Sequence, residues 1–174
     1  MPQRLTDYLR GSNIALALSD TSEDAPLVLV NKSFCDLTGY DEEDVLHQNC
    51  RFLQGEATTE EMRKPLHDFV HGVGADAGRF PILNYRKDGT PFHNYVFMSR
   101  LRDDAGKARY ILASQFDMTS AVKRSKIQSN DDTLRDTLSD VEQIGREYGL
   151  AMIGSAKLLA DSVAMMARLS LSRT

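Results

Sequence analysis

Residues 80–116 read FPILNYRKDGTPFHNYVFMSRLRDDAGKARYILASQF, and the punctuation of this stretch decides the fold. Three runs rich in aromatic and aliphatic residues, Phe80–Tyr85, Pro91–Leu101 and Arg109–Phe116, are separated by Lys87-Asp88-Gly89 and by Asp103-Asp104-Ala105-Gly106. Glycine supplies the positive φ that tight hairpin turns need, so the three runs predict an antiparallel meander. Toward the N-terminus, NIALALS (13–19) and LVLV (27–30) flank a polar turn that ends at Pro26, which predicts a second hairpin. Between the hairpin and the meander the period changes. Asn31 is placed to cap a helix over 32–38 that stops at Gly39. The acids Asp41 to Asp44 suit the first turn of another helix. Met62, Leu66, Phe69 and Val70 define a third, over 58–72, with Thr58 or Thr59 as its cap. Pro65 inside it predicts a kink or a late start. The order is strand, strand, helices and three strands. That implies an α+β domain: a five-stranded antiparallel sheet with short helices on one face.

Both ends extend this domain. Leu5, Tyr8 and Leu9 share one face of a short helix within residues 1–12, which is expected to act as a cap. The domain proper is expected over 13–118. Residues 119–174 carry helical periodicity, with Gly145 and Gly149 suggesting a turn, so a helix-turn-helix hairpin or one long helix is expected. Amphipathic helices of this kind serve oligomerisation or fold back on their own domain, and a homodimer through the terminal helices is the expected assembly.

Composition excludes several classes. The net charge of −4, and a tail with eight Lys/Arg against seven Asp/Glu, argue against a nucleic-acid surface. No apolar run approaches the roughly 20 residues of a membrane span, and the N-terminus lacks the apolar core of a signal peptide, so a cytoplasmic location is expected. Two cysteines, Cys35 and Cys50, and four dispersed histidines have no zinc-ligand spacing. All four histidines precede residue 119, so the tail has no phosphoacceptor histidine, and its 56 residues are too few for an ATP-binding domain. No phosphate-binding glycine loop of the Walker type occurs. The chain is expected not to be an enzyme and to act through itself or an unidentified downstream protein.

The residues that suggest chemistry begin with Asn49-Cys50-Arg51-Phe52-Leu53-Gln54, where a thiol, a cation and two amides fall within six positions. Asn94 is an amide inside an apolar strand and needs a partner if buried. Cys35 lies in an apolar helix and is read as packing. HQNCRFLQG (47–55) resembles the signature of LOV domains, the flavin-binding photosensory branch of the PAS fold. The resemblance runs from about Asn13 to Asp117 and includes the hairpin Asn84–Gly89, the Phe92-x-Asn94 strand and the closing Gln115-Phe116-Asp117. It departs at His47, where glycine is usual, and at Gln48, where arginine is common.

The resemblance implies a non-covalently bound FMN, with riboflavin possible at lower affinity. Cys50 is then the residue that adds to the flavin C4a carbon under blue light, as N5 gains a proton. Arg51 is implied to pair with the phosphate. His67 falls where a second arginine is common, and Lys64 is an alternative helper. Asn49 and Gln54 match residues that bind the ribityl chain, and Asn84 and Asn94 those that read the pyrimidine edge, a task suited to amides with donors and an acceptor each. Gln115 matches the glutamine beside N5. The apolar walls are expected from Leu16, Phe34, Leu37, Leu46, Leu53, Val96, Met98 and Ile111, with Leu18 as a further contributor. Asp117-Met118-Thr119 resembles the junction that ends many PAS domains, and the helical tail starts only four residues beyond Gln115. An alternative class is a flavin-based redox or ligand sensor in which Cys50 reports oxidation.

Overall fold

The computed structural model describes residues 1–123, 157–169 and 171. Both glycine turns of the meander form, with Gly89 at φ 84° and Gly106 at φ 78°. The strands are β1 (Ala15–Asp20), β2 (Leu27–Val30), β3 (Ala77–Tyr85), β4 (Pro91–Arg102) and β5 (Ala108–Asp117). They make one antiparallel sheet in the order β2-β1-β5-β4-β3. The last strand thus inserts beside the first and becomes the middle of the sheet. β3 starts three residues earlier than the apolar pattern predicts, because its first half, residues 77–81, is largely exposed and has no buried position.

The helices follow local capping chemistry. α1 (Gln3–Arg10) precedes the sheet, and α2 (Lys32–Thr38) starts where the Asn31 side chain accepts the Phe34 amide and ends at Gly39, at φ 77°. α3 (Glu42–Val45) carries three acids in its single turn. A 3₁₀ turn covers Cys50–Leu53, and α4 (Glu60–Val70) follows. Pro65 lies inside α4, which starts at Glu60, so the late start does not occur. Thr58 does not cap α4. It is buried, accepting from the Gly55 amide at 2.9 Å and donating to the Leu83 carbonyl at 2.7 Å, which ties the 3₁₀ segment to β3.

The sheet divides the apolar interior. On its inner face, beneath the helices, Ala15, Ala17, Val96, Met98, Ile111 and Ala113 meet Phe34, Leu53 and Phe69. On its outer face Leu16, Leu18, Leu29, Leu101 and Leu112 meet Leu5 and Leu9 of α1. The same outer cluster takes in Val163, Ala164, Ala167 and Leu171, so a helix over 157–169 folds back onto this face. Ala160 of that helix packs with Phe97. Burying a leucine contributes about 1.5–3 kcal/mol, so this face is a full second core. The remainder of the expected helical tail, residues 124–156, lies outside the described residues.

Two polar nodes fix the layers. The Asn31 side chain accepts the Leu16 amide at 2.9 Å and donates to the carbonyls of Leu9, Ser12 and Ile14, which joins α1, β1 and α2. Arg100, 5% exposed, donates to the carbonyls of Phe69, Val73, Gly74 and Ala75 and lies over the Phe69 ring at 4.3 Å. These carbonyls belong to the C-terminal end of α4 and the loop after it, where a cation also suits the helix dipole. Arg100 therefore holds α4 against β4.

Candidate functional site

Strand alternation sends one set of β-residues into a cavity of about 760 Å³ between the sheet and the helices. Its volume is that of a small-molecule site. Ala17, Ala113 and Ser19 keep the floor low, and Ala17 pairs directly with Ala113 across β1 and β5. Asn84, Asn94 and Gln115 bring amides from β3, β4 and β5. The 3₁₀ turn contributes Asn49, Cys50, Arg51 and Leu53, followed by Gln54. α4 closes the remaining side with Leu66 and Val70 and an exposed group of charged and imidazole side chains.

The three sheet amides are buried and form one chain. Asn94 Nδ2 donates to Asn84 Oδ1 at 3.0 Å and to Gln115 Oε1 at 2.8 Å, and Asn84 Nδ2 donates to the Leu53 carbonyl at 3.3 Å. Asn94 Oδ1 is left buried without a partner. A buried polar atom without a hydrogen bond costs about 1–3 kcal/mol. A donor on a bound molecule would satisfy this acceptor. A planar heterocycle with alternating C=O and N–H groups along one edge meets that need, so the donor set fits a flavin ring.

Cys50 opens the 3₁₀ turn because Asn49 caps it: Asn49 Oδ1 accepts the Arg51 amide at 2.9 Å, and Nδ2 donates to the Asp24 carbonyl. The thiol lines the cavity, and burial pushes its pKa up to about 12. It is therefore a neutral S–H near neutral pH. Cys35 is packed beside the inner core, and burial, then Glu42, Asp41 and Asp36, raise its pKa as well.

At the open end Arg51 is ion-paired with Asp24, each side chain 62% exposed. His67 lines the cavity as expected, and so does Lys64; Arg63 and His71 join them. The motif position that departs from glycine, His47, has φ 66°, a left-handed conformation that glycine adopts without cost. Its backbone N–H donates to the Leu27 carbonyl at 2.9 Å, which holds it there.

Of the expected apolar walls, Leu53, Val96, Met98 and Ile111 line the cavity. Leu16 does not. It points to the outer face with Leu18, while Ala15 and Ala17 take the inner positions. Phe34 and Leu37 belong to the inner core behind the cavity, and Leu46 is half-buried at the end of α3. The residues the sequence reading missed include the small Ala17 and Ala113 and the larger Leu27, Leu66, Val70 and Ile82. For the strand positions the signal is register, since Ala113 lies two positions from both Ile111 and Gln115.

Asp117, Met118 and Thr119 bind back to β4. The Met118 amide donates to the His93 carbonyl at 2.8 Å, and the His93 amide donates to Thr119 Oγ1 at 2.9 Å. Arg86 donates to Asp117 at 2.6 Å. The exit from β5 is thus fastened next to Asn94.

A family profile for the PAS domain matches residues 13–120. Blue-light-activated histidine kinase 1 of Erythrobacter litoralis is 40% identical over 126 residues, covering 70% of this chain and 34% of that protein. Phototropin-2 of Oryza sativa is 36% identical over 118 residues, covering 67% of this chain and 13% of that protein. The chain thus spans about a third or less of these relatives' length. Among solved structures, the LOV domain of an Erythrobacter litoralis blue-light-activated histidine kinase superposes with a TM-score of 0.57 at 36% identity, covering 61% of this chain and 96% of that one. The light-state structure of the Aureochrome1 LOV domain gives 0.58 at 30% identity, covering 73% and 98%. The chain belongs to the PAS family, within its LOV branch. No helix among the described residues is long and apolar enough to cross a membrane.

Proposed function

We propose that this chain is a blue-light sensor that binds FMN without a covalent bond in the dark and bonds it reversibly through Cys50 on illumination. The observation that carries this reading is the convergence of Cys50 and the Asn84–Asn94–Gln115 amide chain on one cavity, with Asn94 Oδ1 unpartnered. The blue-light activation named for the kinase relatives supports it. Flavin supplies the absorption of blue light. The residues supply the rest. Cys50 forms a bond from sulfur to ring carbon C4a and gives up its proton, which goes to N5. Burial keeps that proton on the thiol, so it is available when needed. A redox-sensing cysteine needs the opposite, a stabilised thiolate.

Gln115 reads the change. An amide that accepted from or donated to a ring nitrogen can rotate when that nitrogen changes role. Its neighbour Phe116 faces the other way and packs with Phe97, against Ala160. The change at Gln115 thereby reaches the outer face, and the terminal helices packed there change their association with a second copy or a partner protein.

An absorbance spectrum tests the photochemistry. The purified chain should be yellow, bleach in blue light and recover in darkness, and Cys50→Ala should keep the dark spectrum and lose the bleaching. Bleaching that survives the substitution refutes a role for Cys50. For the signalling step, equal hydrodynamic size and equal hydrogen exchange in the terminal helices in dark and light would refute it.

A further inference from the structure

The open end of the cavity holds an unusual balance of charge. Among the described residues, the permanent cations that line it are Arg51, Arg63 and Lys64. Each is already matched: Arg51 with Asp24, Arg63 Nε with Glu60 at 3.5 Å, and Lys64 Nζ with Asp68 at 2.8 Å. Lys64 holds the Asp68 carboxyl below its ordinary range, so this acid stays ionised in mildly acidic solution. Three cations against three carboxylates leave no surplus for a phosphate monoester, which brings about −1.5 to −2 at neutral pH.

What remains is imidazole. His67 and His71, one turn apart on α4, stack with ring centroids 4.0 Å apart and planes at 25°, and both line this end. His71 Nδ1 lies 2.8 Å from the His67 carbonyl. That nitrogen must carry the hydrogen, which leaves Nε2 to take up a proton. His67 Nδ1 lies 3.7 Å from Asp68. Two charged rings at stacking distance repel unless an anion lies beside them, and the neighbouring groups from α4, the 3₁₀ turn and the β1–β2 loop cancel one another.

Building on the flavin reading above, we propose that the His67–His71 pair makes phosphate recognition proton-coupled, so that FMN is preferred over riboflavin only as these imidazoles take up protons. The phosphate raises their proton affinity. Binding assisted in this way strengthens as pH falls and weakens as pH rises.

The test measures FMN and riboflavin affinities of the full chain by flavin fluorescence at pH 8, 7 and 6, with proton uptake from calorimetry in two buffers. Each proton taken up steepens the FMN-to-riboflavin ratio by up to about tenfold per pH unit. A rise of about tenfold between pH 8 and 6, with measurable proton uptake on FMN binding, is expected. The phosphate's own second ionisation, near pH 6, works in the opposite direction and is common to all variants. The His67→Gln/His71→Gln variant should lose the rise, and His67→Lys should favour FMN already at pH 8. A flat ratio in the native chain, or the same slope in the double glutamine variant, overturns the inference. If neither flavin binds at any pH, the reading of the cavity itself fails.

Discussion

The two faces of the sheet are made by the same strands and do opposite things. Along β5, Leu112 points outward into a filled core of leucines from α1, β1, β2 and β4, whereas Ala113 points inward at open space. Along β1, Leu16 and Leu18 fill the outer side while Ala17 and Ser19 border the cavity. The cavity is therefore not a fault in packing. The inward positions carry small residues on β1, amides on β3, β4 and β5, and the apolar walls Ile82, Val96, Met98 and Ile111, while the outward positions hold the domain together.

Breaking this division gives the largest effects. Leu112→Ala should lower stability by about 2–5 kcal/mol, read as the midpoint of thermal or denaturant unfolding, and leave flavin affinity of the folded protein intact. Ala113→Leu should do the reverse: flavin binding falls at least about a hundredfold while the unfolding midpoint stays near native, because the added atoms enter existing space. If both variants lose both properties, the faces are not separable. A smaller effect tests the ion pair that joins Asp76, just before β3, to the end of β4. Asp76 accepts two bonds from Arg102 at 2.7 Å and a long one from Arg100, and the Arg102 bonds hold its pKa down to about 2. The folded pKa lies below the unfolded one, so this stabilisation is present above about pH 4 and disappears as pH falls toward 2. With a carboxylate 44% exposed, about 1 kcal/mol is expected. Asp76→Asn should cost that amount at pH 7 and nothing near pH 2, measured by denaturant unfolding. The smallest effect concerns the motif's departure from glycine. His47→Gly should raise stability by about 0.5 kcal/mol by removing the left-handed strain.

How far the sequence could be read follows from how local each signal was. Asn31, Gly39 and Gly89 act on their neighbours, and α2, β2 and the meander fall where those residues place them. Asn94 could be singled out because a polar group inside an apolar strand needs a partner, whereas Asn84 and Gln115 were marked only by the resemblance to LOV domains. Leu16 misled because β1 is buried on both sides, which erases the alternation that tells one face from the other. Arg100 gave no local sign at all, since its acceptors are backbone carbonyls 25 to 31 positions away. The charge balance at the cavity's open end was equally hidden. His67 was visible as a position, but its stacking on His71 and the pairing of each cation exist only once α4 and the 3₁₀ turn are side by side.

Asn31 bears on where this domain should be cut. The family match begins at residue 13, which invites a shortened chain from that point. Such a trim would take away two of the three carbonyls that the Asn31 amide serves, and would bare the leucines beneath α1. Its product would be a protein with a different surface and a loosened start to β1. The smallest independent unit of this molecule is larger than the stretch that the PAS profile matches.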